Sequence, residues 1–95
     1  MMEIQREEHG KRGAFFIDEG GEWIAEMTYV KSGDVEITID HTEIDKNLRG
    51  ENIGENMVAA AVAYARENGV KIKATCSYAN KVLKTNADFQ DVFIA

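Results

Sequence analysis

The sequence predicts an α+β fold: a mixed, mostly antiparallel sheet with one long crossover helix and a short C-terminal helical segment. Three observations carry this expectation. Between Glu22 and Asp40 apolar residues alternate with polar ones, the period of strands with one buried face. At Ile53 the apolar spacing changes to three and four residues, the period of a helix. Alternation returns over Lys71–Cys76. The helix therefore joins two strands, and a crossover of that kind returns the chain in the same direction.

The elements follow in order. Glu3 to Glu8 is weakly patterned and admits a strand. Phe15-Phe16-Ile17 is a short apolar strand, and Gly20-Gly21 after it is a hairpin signal. Trp23, Ala25, Met27 and Tyr29 share one face of the next strand, which ends at Ser32-Gly33-Asp34. Val35, Ile37 and Ile39 set the buried phase of the third. Ile53, Met57, Val58, Ala61, Val62 and Ala65 stripe one face of an alanine-rich helix, with Gly69 placed to end it. Lys71–Cys76 is a strand, and Ser77 is positioned to cap a short helix through Leu83.

Ninety-five residues make a single domain spanning 1–95, with one modest core. The lone cysteine excludes an internal disulfide, and two scattered histidines with it do not make a zinc site. No apolar run approaches the ~18 residues of a membrane span. The expected setting is cytoplasmic, away from membranes, and the expected state a monomer. The net charge of −6 divides unevenly: residues 1–45 carry twelve acids and four bases, residues 46–95 five acids and seven bases. Such a surface argues against nucleic acid, which needs a basic stripe, but leaves room for a small polyanion at the second half.

The most informative stretch is Leu48-Arg49-Gly50-Glu51-Asn52-Ile53-Gly54-Glu55, between a strand and the long helix. A glycine-rich turn there leaves backbone N–H groups free at a helix N-terminus, a ready anion site. The Gly-Lys-Ser/Thr of a P-loop is missing, and so is the three-glycine dinucleotide fingerprint. His41 is in phase with Val35, Ile37 and Ile39, which turns it to the covered side at a strand end beside this turn. Glu43 continues that phase, as a second base or a solvated acid. Cys76 is in phase with Ile72 and Ala74 and precedes the short helix. A thiol beside a helix N-terminus or a histidine is an activated nucleophile, whereas a buried one is a small core residue. Lys81 and Lys84, one helical turn apart after Asn80, are positioned either to meet phosphates or simply to face solvent.

Together these residues resemble the GNAT superfamily of N-acetyltransferases. Arg49-Gly50-x-Asn52-x-Gly54 opening a helix is similar to its acetyl-CoA pyrophosphate loop, R-x-x-G-x-G/A. His41-Thr42-Glu43, Arg49-Gly50, Tyr64-Ala65-Arg66 and Cys76-Ser77-Tyr78 resemble more closely the small single-domain GNAT-like proteins of the YjdJ type. The resemblance runs from about Glu22 to the C-terminus. It implies a pared-down GNAT fold with acetyl-CoA (coenzyme A as its carrier) between the parallel strands. It assigns the pyrophosphate to backbone N–H groups of Arg49, Gly50, Glu51, Asn52, Ile53 and Gly54. It sets the pantetheine arm along His41, Thr42 and Glu43, and brings Asn80 to the cofactor. His41 and Cys76 are the implied catalytic pair. Asn52 stands where the motif usually has Gly, and Asn tolerates the left-handed backbone better than other side chains.

The implied activity is acetyl transfer from acetyl-CoA to an amine. Either Cys76, assisted by His41, takes the acetyl group first, or the amine attacks directly with His41 or Glu43 removing its proton. The alternative is a non-enzymatic CoA or acyl-CoA binding module, which needs the loop and lysines but neither Cys76 nor His41.

Overall fold

The structure is a computed structural model that describes residues 3–48 and 52–94. Reversals at Gly10-Lys11, Gly20-Gly21 and Asp34-Val35 lay four antiparallel strands side by side in chain order. These are β1 (Gln5–His9), β2 (Arg12–Glu19), β3 (Glu22–Gly33) and β4 (Glu36–Ile44). A 3-10 turn at Lys46–Leu48 precedes α1 (Ile53–Asn68). Gly69, left-handed at φ 66°, ends the helix and returns its N–H to the Ala65 carbonyl. β5 (Lys71–Ala74) then pairs parallel with β4, Ile37 opposite Ile72 and Ile39 opposite Ala74. The mixed sheet, the crossover helix and the parallel pairing expected from the sequence are all present.

The tail, ambiguous in sequence, has a defined use. After α2 (Ser77–Thr85) and a 3-10 turn at Ala87–Phe89, the chain returns to the free edge of β5. Ile72 donates to the Val92 carbonyl at 2.7 Å and accepts from Ile94 at 2.8 Å. This satisfies an edge that would otherwise present unpaired groups.

One face of the sheet carries the core. Phe15, Ile17, Met27, Tyr29, Ile37 and Ile39 meet Met57, Val58 and Val62 of α1 and Leu83 of α2 in a single cluster. Ala61 and Ala65, both fully buried, let α1 lie close to the strands. Each large side chain so buried contributes about 1.5–3 kcal/mol. The opposite sheet face bears no element among the described residues. No helix among them is long and apolar enough to cross a membrane.

Three register shifts interrupt the alternation, one of them between Lys31 and Gly33, and the other two are bulges that re-aim site residues. Ile17 faces Ala25 and Asp18 faces Trp23, so Ile24 is an extra residue. Trp23 therefore leaves the face of Ala25 and Met27 and stacks on Phe16, with ring centroids 4.0 Å apart. Tyr29 faces Ile39 and Thr28 faces His41, so Asp40 is extra in β4. Beyond it the phase inverts. Thr42 and Ile44 continue the helix-covered face opposite Met27 and Ala25, while His41 and Glu43 turn to the bare face opposite Thr28 and Glu26. This corrects the expected direction of His41 and Glu43, because a strict period of two fails across an inserted residue. Val35 also departs from expectation: it lies in the β3–β4 reversal and is 61% exposed.

Candidate active site

β4 outruns β5. Ile39 is the last β4 residue paired with β5, and its carbonyl accepts from both Thr75 and Cys76, at 2.9 and 3.2 Å. There the chain leaves the sheet and enters α2. The segment His41–Ile44 therefore runs on without β5 beside it. A cleft of about 380 Å³ opens at this splay, lined by Thr42, Ile44, Leu48, Asn52, Ile53, Gly54, Glu55 and Tyr78. It brings the end of β4, the first turn of α1 and the first turn of α2 to one place.

The α1 end of the cleft is the positive end of a helix. Asn52 holds φ 58° and ψ 24°, the left-handed conformation expected of a residue standing in for Gly. Its carbonyl accepts from Asn56 at 3.0 Å, but its side chain does not cap the helix. The N–H groups of Ile53, Gly54 and Glu55 thus lack an intrahelical partner at the positive end of a sixteen-residue helix. Arg49, Gly50 and Glu51, also assigned to this loop from sequence, lie outside the described residues.

Gly54 is glycine for a reason of space. A Cβ there would stand 2.2 Å from the Tyr78 hydroxyl, so the ring packs directly on the helix start. Tyr78 is the site residue that pattern reasoning missed: it was legible only as the third residue of Cys76-Ser77-Tyr78. Burial, then the nearby Glu55 carboxylate, raises its phenol above the ordinary range. It stays a proton donor at neutral pH.

Cys76 stands at the α2 N-cap, half-buried, and its thiol donates to the Thr42 hydroxyl at 3.2 Å. Ser77 is the first residue of α2 rather than its cap. His41 is not the thiol's partner. Its side chain is 59% exposed on the bare face, and its Nε2 lies 3.9 Å from Glu43. The sequence-predicted pair is thus split, with Cys76 and Thr42 on one side of β4 and His41 and Glu43 on the other. Asn80 uses its amide to hold the Ala74 carbonyl at 3.2 Å, fixing the β5–α2 turn. Lys81 lines a second hollow of about 470 Å³ that shares Glu55 and Tyr78 with the cleft, whereas Lys84 lines neither.

A five-stranded mixed sheet that splays between β4 and β5 beside the start of α1 is the fold that the sequence resemblance implied. The chain belongs to the GCN5-related N-acetyl-transferase family, whose model matches residues 14–92. It is similar to a GCN5-like protein of Staphylococcus aureus solved by NMR in solution, with 36% identity and a TM-score of 0.77. That match covers 98% of this chain and 88% of the other. It is 31% identical over 62 residues to Protein NATD1 of Danio rerio, a match spanning 65% of this chain and 56% of that protein. A ribosomal-protein-alanine N-acetyltransferase of Brucella melitensis shares the fold at 14% identity, with a TM-score of 0.60 over 90% of this chain.

Proposed function

We propose that the chain is an acetyl-CoA-dependent N-acetyltransferase. The observation that carries the reading is the splay itself, where Thr42, hydrogen-bonded by the Cys76 thiol, and the first residues of α1 line one cleft. The residues present fit acetyl-CoA. Asn52, Ile53 and Gly54 offer backbone donors to a pyrophosphate, and Lys81 adds a cation in the adjoining hollow. Thr42–Ile44, paired with β3 but not with β5, offers the amide groups of its open side to an extended arm, as a β-strand does to its neighbour. Acetyl-CoA supplies an activated acyl thioester. Tyr78 offers a protonated hydroxyl in the same cleft.

Two roles remain for the chain's own groups. In the first, the Cys76 sulfur attacks the acyl carbon and releases CoA as its thiol, and the amine then takes the acetyl group from Cys76 and frees its thiol. In the second, His41 or Glu43 takes the proton from an amine that attacks directly. The separation of His41 from the thiol favours the second, because among the described residues no base contacts Cys76. His41 and Glu43 also face the side from which an acceptor has free access.

Intact-mass measurement after incubation with acetyl-CoA separates the routes. Direct attack predicts full transfer activity in Cys76→Ala, with His41→Ala slowed by about 10²-fold or more. A stable acetyl adduct on Cys76, with loss of transfer in Cys76→Ala, selects the covalent route. Acetyl-CoA binding without turnover on any amine leaves a CoA-binding module.

A further inference from the structure

The sheet face opposite the helices is bare, and its rows of side chains run in register. One row crosses β2, β3 and β4 as Phe16, Glu26 and Glu43. Trp23 lies flat on Phe16 and remains 36% exposed. Beside them a groove of about 490 Å³ is lined by Trp23, Glu26, Glu43, Asp45 and Lys46 among others. Glu26 and Glu43 stand directly opposite on paired strands, an arrangement that destabilises a sheet unless a cation comes between them. Among the described residues neither Glu26 nor Asp45 forms an ion pair, and Lys46 forms none either. Elsewhere on this face Arg12 pairs with Asp40 at 2.9 Å and Lys73 with Glu36 at 3.6 Å, while Lys71 donates to the Asp91 carbonyl. The surplus charge on the face is therefore negative, and it is gathered around an exposed indole.

We propose that this bare face docks a lysine- or arginine-bearing protein segment, with Trp23, Glu26, Glu43 and Asp45 receiving one of its cationic side chains. Charge complementarity selects the occupant. A second copy of this chain would bring the same acidic end and a net charge of −6. An ammonium or guanidinium instead relieves the Glu26–Glu43 opposition and packs against the indole. The face is several strands wide, which suits an extended segment better than a compact cation. His41 stands on the next row of the same face, opposite Thr28. The inference rests on the acetyltransferase reading only in making the segment the acceptor. Docking itself needs no acetyl-CoA.

Trp23 is the chain's single tryptophan, so its fluorescence reads the groove directly. The test is a titration, without acetyl-CoA, by a short blocked peptide of alternating Lys and Ala. The same peptide with Glu for Lys and free spermine are run beside it. The Lys peptide should shift Trp23 emission saturably and weaken with salt, the Glu peptide should do nothing, and spermine should bind more weakly. Glu26→Lys should reduce Lys-peptide affinity roughly fivefold or more, with Glu26→Gln between. Acetyl-CoA affinity, measured separately, should be the same in both variants, and its loss would concern the cleft rather than this face. The proposal is overturned by no response to the Lys peptide, by a response that Glu26→Lys and Glu26→Gln leave unchanged, or by spermine binding as tightly. Concentration-dependent dimerisation that itself buries Trp23 overturns it too.

Discussion

Gly13 and Gly54 each lie under a tyrosine ring, and the two tyrosines differ in freedom. A Cβ on Gly13 would stand 2.4 Å from the Tyr29 hydroxyl, which is fully buried and held by Arg6 at 2.9 Å and Glu8 at 2.8 Å. Tyr78, over Gly54, is 38% exposed and can swing outward. Gly13→Ala should therefore destabilise the fold by about 1–3 kcal/mol, an overpacking cost with no escape. Gly54→Ala should change stability by less than about 1 kcal/mol, because the helix gains from Ala part of what the displaced ring loses. It should nonetheless weaken acetyl-CoA binding, since the displaced ring enters the cleft. Urea melts of both variants and calorimetry on the second check this, and equal destabilisation by the two would refute the contrast. Composition alone marked both positions as glycine but gave no hint that aromatic rings were the reason. Asn52 was more legible, because its tolerance of positive φ is a property of the residue itself.

Among the elements, β1 shows how an edge strand is fastened. Glu8 accepts from the Tyr29 hydroxyl and pairs with Arg6 and Lys31, and Arg6 also lies 4.4 Å over the Tyr64 ring. The hydrogen bond from Lys31, aided by that from Tyr29, outweighs the opposing effect of burial and lowers the Glu8 carboxyl below its usual range. A depressed carboxylate adds stability above its unfolded pKa, and that stability disappears as pH falls through the folded value. Stability should thus decline below about pH 4.5, and Glu8→Gln should flatten that decline while lowering stability at pH 7. Urea midpoints across pH 3–7 report both, and an unchanged acid limb in the variant would count against this network. The same scale sets the limit of sequence reading. Strand and helix periods placed β2 to β5 and α1, since each buries one regular face. They mis-aimed Trp23, His41 and Glu43, because a bulge adds one residue without a mark in the hydrophobic pattern. Asp40 is such a residue: burial opposes its charge, but Thr28 at 2.6 Å and Arg12 at 2.9 Å hold its carboxyl low and anchor the bulge. The weakly patterned β1 was visible only as a possibility, as its side chains are mostly exposed.

At the level of the whole molecule, the helices cover one face of the sheet, the cleft opens at the β4–β5 edge, and the other face is bare. On the proposed reading this division gives acetyl-CoA and the acceptor separate approaches to β4. A ligand held across β4, α1 and α2 ties together elements distant in sequence, so acetyl-CoA should stabilise the native state. At 100 times its Kd the gain is about 2.7 kcal/mol, a rise of several degrees in Tm for a chain of this size. The loop around Gly54 and the Cys76-Ser77-Tyr78 run were legible in sequence because they are contiguous. The pairing of Cys76 with Thr42 was not, since it depends on where β5 stops and which way β4 turns. The central claim is that acetyl-CoA binds in the β4–β5 splay, and residue-resolved amide NMR during an acetyl-CoA titration tests it most directly. Saturable shifts should gather at Thr42–Ile44, Asn52–Glu55 and Cys76–Tyr78 while β1 and the first half of β2 stay still. Shifts confined to other elements, or none at saturating concentration, would contradict it.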